Sequence, residues 1–166
     1  MRGIIIAAAA LALAGCSQGD GTTVAVTSPS PTVSASPSPV VMTTDQAGER
    51  YLRYICKSND ANASLGTAGV SALYIGDALT DQQKQTVRRA AAVNAKAARA
   101  LEDSGYVWPE DVSEYVEKVA VQLYDDSAKY RDIVKSGKMQ LLSGGSNRAA
   151  NIVRLRLGLP PRGKGC

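Results

Sequence analysis

The sequence predicts an all-α domain, a bundle of four or five helices. Three observations support this fold class. Apolar residues recur at spacings of three and four over most of the chain after residue 44. Residues that cap or stop helices stand at the ends of these stretches. No stretch alternates strongly with β-branched residues, so we expect no sheet.

The first half of the domain is predicted to hold two or three helices. Tyrosines and aliphatic residues recur near the helical period over about 45–57. A break follows at Ser58-Asn59-Asp60, and the alanine-rich residues 59–76 are interpreted as a further helical stretch interrupted by glycine. Thr80-Asp81-Gln82-Gln83 resembles a capping box and starts a helix that runs to about residue 103.

The second half is predicted to hold two more helices. The longest begins at Trp108-Pro109, because proline is favoured in the first turn, and ends at Gly137. The last helix covers about 147–157. Gly158 stops it, and Pro160-Pro161 forbid its continuation.

The chain begins with the features of a secretory signal. Met1 and Arg2 form a short positive region, and residues 3–14 are apolar. Such a run is too short to cross a bilayer as a helix, which takes about 20 residues. We therefore interpret residues 1–15 as a cleaved signal peptide.

Leu13-Ala14-Gly15-Cys16 follows this apolar run and resembles the lipobox of bacterial lipoproteins, L-[AS]-[GA]-C, at every position. The resemblance implies cleavage before Cys16 and attachment of a diacylglyceryl group to its sulfur. Two or three acyl chains hold a protein firmly, whereas one gives marginal binding. The chain would then be exported and anchored on the outer face of the cell membrane. The alternative is an ordinary signal peptide whose cleavage site contains a cysteine.

A lipid on Cys16 leaves two of the three cysteines, Cys56 and Cys166. Two remaining cysteines in an exported protein predict a disulfide between them, and this disulfide would close the helical bundle. The alternative is two free thiols.

Residues 16–43 are rich in Ser, Thr and Pro and predict a disordered tether, because such a composition cannot bury enough apolar surface to fold. At ~3.1 Å per residue in extended polyproline geometry, the tether would reach roughly 80 Å. It would hold the helical domain, residues 44–166, away from the bilayer. Ser/Thr/Pro stretches are also typical sites of O-glycosylation. A proline-rich ligand for a recognition domain is the alternative.

The composition excludes several chemistries. The chain has no His, which removes serine–histidine and cysteine–histidine catalysis and the commonest metal ligand. No serine is followed by lysine three positions later, so the serine–lysine pattern of penicillin-binding enzymes is absent. We predict no catalytic residue, no metal and no cofactor. The net charge of +4 is well mixed, which argues against a nucleic-acid partner.

Five groups of residues were candidates for a site, and each also has a structural interpretation. They are Asp125, Asp126 and Asp132; Glu110, Asp111, Glu114 and Glu117; the turn Gly144-Gly145-Ser146-Asn147-Arg148; the aromatic residues Tyr51, Tyr54, Tyr74, Tyr106 and Trp108; and the arginines Arg88, Arg89, Arg154 and Arg156. The acidic groups are interpreted as solvated or dipole-stabilising helix faces, and the glycine-rich turn as a loop and cap. The aromatic residues are interpreted as packing rather than a sugar-stacking platform. The arginines are interpreted as exposed helix faces.

The overall pattern resembles small lipoproteins of uncharacterised function from actinobacteria or their phages. We expect a non-enzymatic binding or interaction module, with an envelope protein or a cell-wall polymer as partner. The alternatives are a hydrolase of the envelope that uses carboxylates in a groove between helices, and a phage-encoded surface exclusion lipoprotein. A structural spacer is a further alternative.

Overall fold

The computed structural model describes residues 38–70, 76–138 and 148–166, and four helices lie in those ranges. The predicted all-α bundle is confirmed. The helices are α1 (Thr44–Thr67), α2 (Asp81–Leu101), α3 (Glu110–Ser136) and α4 (Arg148–Arg156), and two short strands are β1 (Val40–Val41) and β2 (Tyr106–Val107). The signal peptide, residues 16–37 of the predicted tether with Cys16, Tyr74 and the turn residues Gly144–Asn147 lie outside the described residues.

The predicted break after residue 57 is wrong, because α1 continues without interruption to Thr67. Ser58 does not cap a new helix. Its side chain is buried and donates a hydrogen bond from Oγ to Asn94 Oδ1 on α2, at 2.7 Å. The Ser58 hydroxyl therefore bonds to a residue of another helix, whereas a capping serine would bond to a backbone N–H close by in the sequence.

Side-chain caps fix the starts of the first two helices. Thr43 and Gln46 form a reciprocal capping box at the start of α1, and Thr80 and Gln83 do the same at α2, as predicted. Gly137 closes α3 in the left-handed conformation, with φ of 67°, where a side chain would be strained.

The structure adds a parallel strand pair that the sequence did not predict. Val40 lies opposite Tyr106 and Val41 opposite Val107. Met42, directly after β1, is buried in the core. Packing of the domain therefore begins inside the stretch that the sequence assigns to the tether.

The core lies on both sides of α2, which packs against α1 and α3, while α4 packs against α3. One apolar cluster joins the start of α1 to the start of α3 and to α4, and a second joins the end of α1 to the end of α3. Alanines supply much of the α2 face in both clusters, which lets the neighbouring helices approach closely. The buried α2 residues are Val87, Ala90, Ala91, Asn94, Ala97, Ala98 and Leu101.

A disulfide joins Cys56 on α1 to Cys166, across a sequence separation of 110 residues. The predicted pairing is therefore confirmed. It ties the segment after α4 back onto the middle of α1. No helix within the described residues is long and apolar enough to cross a membrane.

Candidate interaction groove and the disulfide-linked end

A groove of about 590 Å³ runs between α3 and α4. Helix α4 is only nine residues long and covers part of the outer face of α3, which leaves the groove open beside it. Ten residues line it: Tyr115, Lys118, Val121, Gln122, Asp125, Asp126, Lys129, Arg148, Ala149 and Ile152.

Aliphatic side chains are exposed in and beside this groove. Val121 on α3 is 50% exposed, and Leu155 on α4, one turn beyond the half-buried Ile152, is 80% exposed. Side chains of this size each gain about 1.5–3 kcal/mol when fully buried. A surface that leaves them in water together is typical of an interaction site.

Both signs of charge flank the apolar side chains. Lys118, Lys129 and Arg148 supply positive charge, and Asp125 and Asp126 supply negative charge. Asp126 is half-buried, and this burial raises the pKa of its carboxyl above the usual range, with a smaller contribution from Asp125 and an opposing one from Lys129.

Two cationic side chains lie close to the ring of Tyr115, at the end of the groove nearest the start of α3. The Tyr115 ring centroid lies 5.2 Å from Lys118 Nζ and 4.8 Å from Arg156 Cζ. Lys118 also pairs with Glu114, and Arg156 donates a hydrogen bond to the Asp111 carbonyl oxygen. These contacts fix the ring and one wall of the groove.

The predicted acidic groups are only partly brought together. Asp125 and Asp126 both line the groove, but they are neighbours on α3, and Asp132 is exposed outside it. Helix α4 contains no Asp or Glu, so no carboxylate of α4 faces them across the groove. The acidic residues in the first turns of α3 are exposed, as the helix-dipole interpretation predicts; they are Glu110, Asp111, Glu114 and Glu117. Among the described residues, no group of three His, Cys, Asp or Glu side chains is placed to hold a metal ion.

Of the predicted aromatic residues, the four that the structure describes do not form one open platform. Tyr51 is fully buried in the core. The Tyr106 ring is covered by the Arg50 guanidinium, whose Cζ lies 3.6 Å from the ring centroid and 5.7 Å from that of Tyr54. Trp108 is half-buried and donates from Nε1 to the Leu101 carbonyl oxygen at the end of α2. These side chains hold helix ends together, which agrees with the packing interpretation.

The prediction that all four arginines are exposed is wrong for Arg154. Arg88, Arg89 and Arg156 are exposed, but Arg154 is only 4% exposed. Its Nη1 donates to the Pro160 carbonyl oxygen at 2.7 Å, and its Nη2 lies 3.3 Å from the Cys166 sulfur. The spacing of apolar residues in α4 does not predict that Arg154 is buried. The burial of Arg154 depends on the chain folding back after Gly158.

Comparison of the chain with protein-family models, with curated proteins and with solved structures found no match. The function is therefore argued from the residues alone.

Proposed function

We propose that this chain is an exported lipoprotein whose helical domain binds a protein of the cell envelope through the groove between α3 and α4. The anchor is the lipid on Cys16 that the lipobox Leu13-Ala14-Gly15-Cys16 implies. The Cys56–Cys166 disulfide supports export, since disulfides persist outside the reducing cytosol.

The observation that carries the binding role is the exposure of Val121 and Leu155 beside a groove with charges of both signs. An anionic cell-wall polymer would be matched by a basic, polar surface. A groove lined by aliphatic side chains and by charges of both signs instead resembles the make-up of protein–protein interfaces. The partner that fits this groove is a protein segment. It would have aliphatic residues and both positively and negatively charged residues of its own.

The anchor is tested by labelling cells that express the full chain with a palmitate analogue. The expected result is label on the wild-type chain and in the membrane fraction, and loss of both in the Cys16→Ser variant. Ser17→Ala is the matched control and should keep the label. A Cys16→Ser chain that still carries label and sediments with membranes would remove the lipobox assignment.

The groove is tested separately by placing a photo-crosslinking amino acid at position 121 or 155 in living cells. Position 88, exposed on α2, is the matched control. The expected result is one discrete protein adduct from positions 121 and 155 and none from position 88. The same adducts from all three positions, or none from any, would contradict a binding role for the groove.

The hydrolase alternative has one supporting observation, the half-buried Asp126, whose raised pKa suits a proton donor. It lacks a second carboxylate across the groove. Release of soluble fragments from purified envelope by the wild-type chain, lost in Asp126→Asn and kept in Asp132→Asn, would favour it over the binding role.

A further inference from the structure

The disulfide-linked end of the domain contains a buried arginine that has no Asp or Glu partner among the described residues. Arg154 is 4% exposed, and its guanidinium contacts a backbone carbonyl oxygen and the Cys166 sulfur. Among the described residues, no carboxylate lies within ion-pairing distance of it. A buried cation of this kind is costly unless a negative charge lies nearby.

The side chains of Tyr51 and Asn59, which lie near Arg154 and the bridge, do not supply that charge. The Tyr51 hydroxyl is buried, and Arg154 and Arg162 both lie close enough to act on it, but burial raises its pKa to about 12 and keeps it neutral. Asn59 Nδ2, from α1, lies 3.5 Å from the Cys166 main-chain oxygen and 3.9 Å from its sulfur, and it is a neutral donor. Arg154 is therefore the charged side chain that these contacts place against the Cys166 sulfur.

We propose that the Cys56–Cys166 disulfide is a thiol-exchange site for small external thiols, in which Cys166 is the leaving sulfur and Arg154 stabilises it as a thiolate. The inference does not rest on the lipid anchor or on the groove. Both cysteine residues are partly exposed, so the bridge lies near the surface of the domain. Positive charge beside a cysteine favours its thiolate form.

The exchange step conserves atoms and electrons. A small thiol loses its proton to solvent, and its thiolate attacks Cys56 Sγ. The new sulfur–sulfur bond forms as the Cys56–Cys166 bond breaks, and the bonding electron pair stays on Cys166 Sγ beside Arg154. A second small thiolate then releases Cys56 by attacking the mixed disulfide. Two small thiols are oxidised to their disulfide, and the two cysteines are reduced.

Opening the disulfide would free the segment that follows α4, here called the tail, which is closely packed. Gly165 lies against the Pro160 ring with no room for a Cβ, which would come within 2.5 Å of Pro160 Cγ. Cys166 has φ of 103° and is the one non-glycine residue with positive φ in the described part of the chain. Such a backbone conformation is strained for a residue with a side chain and is held only while the surroundings impose it.

The test uses the full chain with Cys16→Ser, so that Cys56 and Cys166 are its only cysteines. The oxidised protein is incubated with glutathione, trapped with an alkylating agent and mapped by peptide mass spectrometry. The expected result is glutathione on Cys56 and alkylated Cys166. Glutathione found mainly on Cys166 would overturn the proposal, and this measurement needs no variant of Arg154.

The role of Arg154 is tested by the rate of reduction of the native disulfide. Loss of an opposite charge at this distance raises a thiol pKa by about one unit or more, and exchange slows as the leaving thiol becomes more basic. Arg154→Met should therefore react about three- to tenfold more slowly, and Arg154→Lys should recover part of the rate. Arg88→Met, at an exposed arginine of α2, is the matched control and should react like the parent.

A purely structural role for Arg154 predicts the opposite sign. Without its hydrogen bond to Pro160 the tail would loosen, and the bridge would open faster in Arg154→Met. An unchanged or faster rate in this variant, with the helical circular dichroism of the parent, would overturn the proposal. If Arg154→Met does not fold, an Arg154→Lys rate above that of the parent is the result that overturns it.

Discussion

Ser58 on α1 and Asn94 on α2 form a buried hydrogen bond of 2.7 Å between their side chains. Asn94 extends this contact by donating from Nδ2 to Asn62 Oδ1, which also accepts from the Tyr130 hydroxyl on α3. Two asparagines, Asn94 and Asn62, therefore connect polar groups of three helices inside an alanine-rich interface. Each member has a partner, which is the condition under which a buried polar network stabilises a fold.

Asn94→Ala should lower the free energy of unfolding by about 1–3 kcal/mol, because Ser58 loses its partner inside the core and Asn62 loses one of its two donors. Urea denaturation followed by circular dichroism measures the change. Asn151→Ala, on the exposed face of α4, is the matched control and should change stability by less than about 0.5 kcal/mol. Equal effects of the two substitutions would show that the network contributes nothing specific.

The sequence predicts the helix class and most helix ends, because these depend on local chemistry. The capping box at Thr80 and the stop at Gly137 both act through neighbouring residues, and the structure has both. The prediction at Ser58 is wrong because serine is a common capping residue, whereas the hydrogen-bond partner of its side chain lies 36 residues away in the sequence. The burial of Arg154 could not be predicted from local sequence either, because it depends on the chain folding back after α4.

The candidate site is less predictable than the fold. The sequence places Asp125 and Asp126 on one helix, but only the packing of α4 turns their surroundings into a groove. Val121 and Leu155 fall outside the helical spacing of the buried residues of α3 and α4, but this spacing does not say whether another element covers them. Val121 stays exposed because the short helix α4 covers only part of α3.

Removing the disulfide by the double substitution Cys56→Ala/Cys166→Ala should lower the free energy of unfolding by about 3–5 kcal/mol. The chain-entropy account of a loop of about 110 residues gives a value near the upper end of this range. Chemical denaturation of the oxidised parent and the variant measures the difference. A loss below about 1 kcal/mol would mean that the unfolded chain gains little freedom when the bridge is removed.

Arg50→Lys should lower the free energy of unfolding by about 1–2 kcal/mol. Arg50 Nη2 donates to the Ala100 carbonyl oxygen at 2.7 Å and to Asp103 Oδ2 at 3.0 Å, while its plane lies over Tyr106. A lysine keeps the charge but loses the planar fork and the stacking. The ion pair itself adds little, because the Asp103 side chain is 47% exposed.

The matched control for this change is Arg53→Lys, on the exposed face of the same helix. It should leave stability unchanged within about 0.5 kcal/mol. If both substitutions had the same effect, lysine would be serving as well as arginine at position 50, and the contact with Tyr106 would carry no stability.

Tyr51→Phe and Tyr130→Phe should have opposite effects at neutral pH. The Tyr51 hydroxyl is buried and has no hydrogen-bond partner among the described residues, so its removal should leave stability unchanged or raise it by up to about 1 kcal/mol. The Tyr130 hydroxyl donates to Asn62, and its removal should lower stability by about 1 kcal/mol. Thermal denaturation of the two variants side by side measures the difference, and a clear loss in Tyr51→Phe would reveal a partner for that hydroxyl.

The same two tyrosines should make the domain sensitive to alkaline pH. Burial raises the pKa of Tyr51 and of Tyr130 to about 12, against 10.0 for an ordinary tyrosine. Between pH 10 and 12 the unfolded chain therefore holds fewer protons than the folded one, and stability falls as the pH rises through this window. Each group accounts for up to about 2–3 kcal/mol of that fall, at 1.36 kcal/mol per pKa unit. Urea midpoints at pH 9, 10, 11 and 12 measure the slope. The double variant Tyr51→Phe/Tyr130→Phe should lose most of it, whereas an unchanged slope would assign the alkaline transition to other groups.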